Sequence, residues 1–245
     1  MSDQNVHVKV LNAFGETPAE VNFRTGQLPT PYQFTGYRYT LESMQSVIDL
    51  IRWKGTLDNS VLFVDEDGVQ VILNDTVTDR PKDTAIYEYK QSIEYKEWFP
   101  YLGSRMKQKD FADFLKRRPA DEIDGSDHLL ASVQKLNLAT VITGEYDYED
   151  NNNLVVGFKV KDAEGSTRLP KVLTVHMPLI YGSEFVVDME VELEFSKPKA
   201  EGEQPTFALT IPKWNRYWQA AVEFEVDKLK KALEGYLVLD GRGLK

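Results

Sequence analysis

The spacing of apolar residues changes period several times along the chain, and each change marks an element. Val6, Val8 and Val10 alternate with His7 and Lys9, the pattern of a short half-buried strand. The stretch GQLPTPYQFTGY holds Pro29, Pro31 and Gly36 and reads as an ordered arm, because proline cannot donate to a ladder. From Thr40 the period becomes helical: Leu41, Met44, Val47, Ile48 and Ile51 share one face, with Thr40 as N-cap and Gly55 as the stop. Strands are predicted at Ser60–Asp65, Val69–Leu73 and Ala85–Lys90, the first two joined by a hairpin at Asp67-Gly68. A second helix begins near Lys107 with Phe111, Phe114 and Leu115 on its apolar stripe. A third carries Leu129, Val133 and Leu136.

Past Asn137 the alternation is mostly that of antiparallel strands. TVITGEYDYED and NLVVGFKVKD flank the turn-prone Asn151–Asn153, and KVLTVHMP and TFALTIP are further strands. In Glu184–Phe195 the residues Phe185, Val187, Met189, Val191, Leu193 and Phe195 alternate with mostly acidic partners, so one face meets a core and the other meets water. A long helix over Asn215–Glu234, stopped by Gly235, would turn Trp218, Val222, Val226, Leu229 and Leu233 inward. The short strand YLVLD follows. The predicted fold is α+β: a small N-terminal mixed α/β part of three strands and two helices, then a larger antiparallel sheet with a long C-terminal helix. The expected organisation is an N-terminal strand and arm over 1–38, an α+β lobe over 39–125 and an antiparallel β lobe over 126–245. The last two can equally be read as one continuous domain.

Composition narrows the chemistry. A net charge of −10 disfavours a sequence-independent grip on nucleic acid or on an anionic membrane. The absence of cysteine removes disulfides, thiolate metal sites and thiol nucleophiles. No stretch approaches the roughly 20 apolar residues that span a bilayer, and the first residues lack a secretory pattern, so a cytoplasmic protein is expected. No cofactor is expected.

The triplet Glu-Tyr-Lys occurs at 88–90 and again at 94–96. Glu88 and Lys90, two apart, share one face of a strand, the arrangement by which Asp…Glu-x-Lys nucleases hold a metal ion beside a phosphate. Asp65, Asp67 or Asp75 would supply the missing carboxylate, with Asp75 the choice for a metal-binding trio Asp75, Glu88 and Lys90. An opposite-charge solvent face explains the same spacing more simply. The second triplet is placed in a loop or turn before Trp98. Arg105, Lys107, Lys109, Lys116, Arg117 and Arg118 form the one local basic run, a candidate binding patch. Asp110 and Asp113 interrupt it, which favours a solvated helix face. Trp214, Tyr217 and Trp218 form an aromatic cluster explained by core packing before stacking on a ligand. GEYDYEDNNN lacks the closing Glu of a calcium loop. His7, His128 and His176 have no companion spacing, and no phosphate-binding glycine loop or nucleophile elbow is present.

The stretches LPTPYQFTGYRYTLESMQSVIDLI and IEYKEWFPYLGSRMKQKDFADFL resemble the YfdQ-like family of phage and prophage proteins, most tellingly where Trp98 leads through Met106-Lys107-Gln108 to Phe111 and Phe114. The likeness continues through VITGEYDYEDNNNLVVGFKVKD, VHMPLIYGSEFVVDMEVELEF and the final YLVLDGRG, covering nearly the whole chain from about residue 28. The resemblance implies no established activity and no catalytic residues, and it points to an accessory role during infection. The strand Asp188–Glu194 is markedly acidic, which sets this sequence against a nucleic-acid role. The expected function is therefore that of a non-enzymatic accessory protein acting by protein–protein contact with a host or phage protein, as a homo-oligomer. The alternatives are a nucleic-acid-processing or recombination factor and a nucleotide-sequestering protein, for which a small-molecule ligand would be the partner.

Overall fold

A computed structural model describes residues 35–78, 80–137, 153–160, 163–196 and 205–243. The expected strand at Val6–Val10, the arm up to residue 34, the expected strand TVITGEYDYED with its acidic run, and residues 197–204 lie outside the described residues. Residues 35–245 form one compact unit. The architecture is α+β with a long C-terminal helix, and it is built around two sheets, each with its own core.

The first sheet orders its strands β1-β4-β3-β2-β11. These are β1 (Arg38–Leu41), β2 (Val61–Val64), β3 (Gly68–Ile72), β4 (Thr84–Glu88) and β11 (Leu237–Asp240). β2 and β3 pair as the hairpin expected at Asp67-Gly68, β4 extends them into an antiparallel meander, and β1 and β11 add parallel to β4 and β2 at its two sides. Leu62, Val64, Val69, Val71, Ala85 and Tyr87 fill one face of the sheet. Helix α1 (Met44–Lys54) covers them with Val47, Ile48 and Ile51. The expectation that this helix starts at Thr40 is corrected: Leu41 ends β1, and Ser43 is the cap, its hydroxyl accepting from the Ser46 amide at 3.2 Å. A local helical period cannot see that residues 38–41 have β4 to pair with. Gly68 stands where β3 passes β4 so closely that a Cβ would lie 2.0 Å from the Tyr87 carbonyl oxygen.

The second sheet is antiparallel in the order β5-β10-β9-β8. It comprises β5 (Met106–Lys107), β8 (Val172–Pro178), β9 (Val186–Ser196) and β10 (Thr206–Thr210), while β6 (Asn153–Val160) and β7 (Ala163–Pro170) form a separate hairpin. The inner residues of β8, β9 and β10, including Leu173, Val175, Met189, Val191 and Phe207, pack with α2 (Ile93–Trp98), α3 (Gln108–Lys116) and α4 (Ser126–Asn137). Phe111 stacks on Phe207 at 4.7 Å, and Trp98 meets Phe114 edge-on at 5.0 Å. The buried Gln108 amide donates to the Val133 carbonyl and ties α3 to α4. The second Glu-Tyr-Lys triplet lies in α2 rather than in a loop, because Ser92 caps that helix by accepting from the Tyr95 amide at 3.0 Å.

Helix α5 (Trp214–Ala232) serves both cores. Ala221 belongs to the second, and Leu229 with Leu233 belongs to the first. Of the residues expected on its inward face, Trp218, Val222 and Val226 are half-buried, while Ala221 and Glu225 are buried. Gly235, at φ +91°, turns the chain from α5 into β11, a backbone conformation that side chains with a Cβ rarely adopt.

Candidate functional site

The carboxylates singled out in the first half of the chain fall at two separate places. Glu88 ends β4 opposite Gly68, whereas Asp75 follows β3 at the end where Ile72 pairs with Thr84. Four residues of strand, about 13 Å, separate the two ends. The structure therefore does not bring Asp75 to Glu88. Asp75 lies 4.0 Å from Lys82 instead. Lys90 is engaged by Glu42, from the link between β1 and α1.

Asp65 and Asp67 are close to Glu88 along the sheet, and all three line one cleft of about 570 Å³ with Phe63, Gln70 and Ile86. Arg242 occupies both hairpin carboxylates, donating from Nε to Asp65 and from its terminal nitrogen to Asp67. Asp65 also accepts the amides of Asp67 at 2.8 Å and Gly68 at 3.0 Å. Partial burial opposes ionisation of Asp65, yet Arg242 and these two amides prevail and hold its carboxyl below the usual range. Among the described residues no group of three or more His, Asp or Glu side chains is placed to hold a metal ion.

The basic run does not act as one patch. Arg105, Lys107, Lys109 and Arg117 reach solvent, Arg105 donating to the Ser196 hydroxyl at 3.2 Å, and Lys116 pairs with Asp113 at 3.2 Å. Arg118 departs from the run. Helix α3 ends at Lys116, and beyond it the chain turns Arg118 inward until its side chain is only 6% exposed. Its guanidinium lies 5.1 Å above the Phe114 ring, 2.8 Å from Glu97 and 3.8 Å from the buried Glu122. Glu122 in turn accepts from the Trp98 indole nitrogen. Burial raises the Glu122 pKa, with Trp98 and Arg118 pulling in the opposite sense. Arg118 is thus a structural cation and does not belong to a binding surface.

The outer face of the second sheet carries the strongest charge pattern. Period-two alternation in β9 places Asp188, Glu190, Glu192 and Glu194 in one exposed row, about 7 Å from each to the next. β10 ends at Thr210, opposite Glu192, so the Glu190 amide lies beyond that pairing and donates to the Tyr217 hydroxyl at 3.1 Å. The Glu190 carboxylate is drawn below its ordinary pKa by a hydrogen bond from Lys213. On β8, His176 lies across from Asp188 and bonds it through Nδ1 at 2.7 Å, while Nε2 meets Asp124 at 3.1 Å. Those two carboxylates, Asp188 first, raise the His176 pKa. This tie escaped the sequence reading because its members are 12 and 52 residues apart. His128, by contrast, is exposed near the start of α4.

The aromatic cluster at the start of α5 is half-buried. Trp214 stacks on Tyr95 with centroids 4.2 Å apart and on Trp218 at 5.9 Å.

No family model, no curated protein and no solved structure matches this chain. Among the described residues no helix is long and apolar enough to cross a membrane.

Proposed function

We propose that the protein is a non-enzymatic accessory protein that binds a basic partner protein through the outer face of its second sheet and self-associates in the cytoplasm of a bacterial host. The carrying observation is the row Asp188, Glu190, Glu192 and Glu194, kept on one exposed face by the strand period. With Asp188 tied to His176 and Glu190 to Lys213, it is Glu192 and Glu194, without a basic partner among the described residues, that raise the local negative potential, speed encounter with a cationic surface and discriminate against anionic ones. The chain's net charge of −10 acts in the same sense over longer distances. The phage or prophage setting rests on the resemblance to the YfdQ-like family and supplies the kind of partner to look for, a host or phage protein whose own surface is basic.

The test compares the native protein with a Glu192→Lys, Glu194→Lys variant as bait in lysate from infected cells, with light scattering on the purified baits. The proposal expects a defined oligomer and a stoichiometric basic protein that the variant fails to recover. The same set of proteins on both baits, or a monomer with no stoichiometric partner, refutes it.

A further inference from the structure

A second kind of site lies at the start of α5, where a cavity of about 410 Å³ is lined by Tyr89, Lys90, Gln91, Lys96, Trp214 and Trp218. Its lining differs in sign from that of two cavities beside β2 and along α5. The cleft beside Arg242 and the groove along α5 each include several carboxylates, whereas this cavity has two ammonium groups and no acid in its wall. We propose that it binds a small planar aromatic anion of mononucleotide size, with the ring stacked on Trp218 and the anionic group held by Lys96 and Lys90.

The stacking surface is already assembled. Tyr95, Trp214 and Trp218 form a run of near-parallel rings, with interplanar angles of 20° and 28°. The 5.9 Å between Trp214 and Trp218 is too narrow to admit another ring, which needs about 7 Å for two stacking distances of roughly 3.5 Å each. A ligand ring therefore meets Trp218 from the cavity that this indole lines, not between the two tryptophans, and the indole nitrogen is steadied by the Glu66 carbonyl at 3.4 Å. Any nucleobase satisfies such a surface, since every base has a π-face.

The charges are available. Lys96 has no carboxylate partner among the described residues. Lys90 pairs with Glu42, but that carboxylate is 70% exposed, and an exposed pair of this kind is given up for a ligand anion at small cost. Tyr89 contributes to the wall, but its hydroxyl is buried away from solvent and adds no contact for a ligand anion.

The wall that carries these groups is rigid. The Tyr89 amide donates to the Asp67 carbonyl at 2.8 Å, the Tyr181 amide to the Lys90 carbonyl at 2.7 Å and the Ser92 amide to the Leu179 carbonyl at 2.8 Å, with a further bridge between Gln91 and Ile180. The main chain that carries Tyr89, Lys90 and Gln91 is thus fixed before a ligand arrives, which limits the entropy lost on binding to the side chains. The volume falls within the range of small-ligand pockets, about 300–1,000 Å³, and suits a single nucleotide. A strand would have to extend over a molecule of net charge −10, which opposes a polyanion.

Isothermal titration calorimetry at low salt tests the proposal, with adenosine 5′-monophosphate, guanosine 5′-monophosphate, adenosine, inorganic phosphate and a single-stranded oligonucleotide as probes. The expected result is saturable one-site binding of both monophosphates, with adenosine and inorganic phosphate each weaker by about tenfold or more. Trp218→Ala should cost about tenfold or more in affinity, within the range of base–aromatic stacking. Lys96→Glu changes an exposed side chain, so it remains informative if Trp218→Ala proves unfolded by circular dichroism, and it should abolish binding of the monophosphates while leaving the thermal melt unchanged. No heat from either monophosphate at millimolar concentration overturns the proposal. So does equal binding of adenosine and its monophosphate, unchanged affinity in Lys96→Glu, or an oligonucleotide that outbinds the monophosphates.

Discussion

Replacing Arg118 by Ala removes a cation from a half-closed polar cluster and leaves a buried carboxylate behind. The guanidinium loses its place over Phe114, an interaction worth about 0.5–1 kcal/mol in partly exposed settings. It also loses Glu97, which is 54% exposed and contributes about 0.5 kcal/mol at most. The larger loss belongs to Glu122, 5% exposed and left with the Trp98 indole as its donor, for which about 1–3 kcal/mol of desolvation is no longer offset. The expected cost is about 2–4 kcal/mol at neutral pH, a drop of several degrees in melting temperature for a chain of this size. The pH dependence has a definite sign. The folded pKa of Glu122 is raised, chiefly by burial, so its ionised form costs stability and its protonated form does not. The penalty is absent below the ordinary carboxylate value near about 4 and fully present above the folded pKa, and losing Arg118 raises that folded pKa further. Urea unfolding followed by circular dichroism at pH 7.5 and pH 5, on Arg118→Ala, Glu122→Gln and the double variant, measures the coupling. Added to Glu122→Gln, the Arg118→Ala change should cost only about 1 kcal/mol, because no buried charge remains to be stranded. A cost that is equal in both backgrounds and at both pH values would show that Arg118 acts by packing alone and would refute the account of the cluster.

The His176 tie makes an opposite-signed prediction: with its pKa raised by Asp188 and Asp124, its stabilisation is present below the unfolded value near 6.5 and lost as pH rises through the folded value. His176→Gln should therefore cost up to about 1 kcal/mol at pH 6 and less at pH 9, and a difference that grows with pH in thermal melts would contradict the tie. Gly68→Ala forces a Cβ against the Tyr87 carbonyl oxygen and should destabilise by about 2 kcal/mol or more through a shifted β3–β4 pairing; an unchanged urea midpoint would show that the strands can separate there without cost.

Several of these features could be read locally, and several could not. The alternation of Glu184–Phe195 with acidic partners told which residues of β9 face water, because side chains on a strand change face at every residue whatever it pairs with. The helices over Phe111–Leu115 and Leu129–Leu136 were legible for the same kind of reason, a period inherent in the backbone. The spacing of Glu88 and Lys90 was also legible, but their partners were not. Glu42 and Lys90 are 48 residues apart, and nothing in the local pattern distinguishes a lysine held by a distant glutamate from a free one. Arg118 looks like its neighbours in the basic run, and only the end of α3 and the position of Glu122 turn it inward. The helical reading of residues 40–43 failed because a parallel partner, β4, was waiting for residues 38–41.

By itself the sequence determined the period of each segment, the face each strand turns to solvent, the acidity of that face and the long closing helix. These are properties of short windows, in which the backbone repeat converts residue order directly into direction. The tertiary structure decided which segments share a core. It placed β11 beside β2, divided α5 between two cores, paired His176 with Asp188 and Asp124, and gathered Tyr89, Lys90, Lys96 and the α5 tryptophans around one cavity. Such pairings minimise the free energy of the whole chain, through burial and hydrogen bonding between residues far apart in sequence, and no single window contains the information that selects them.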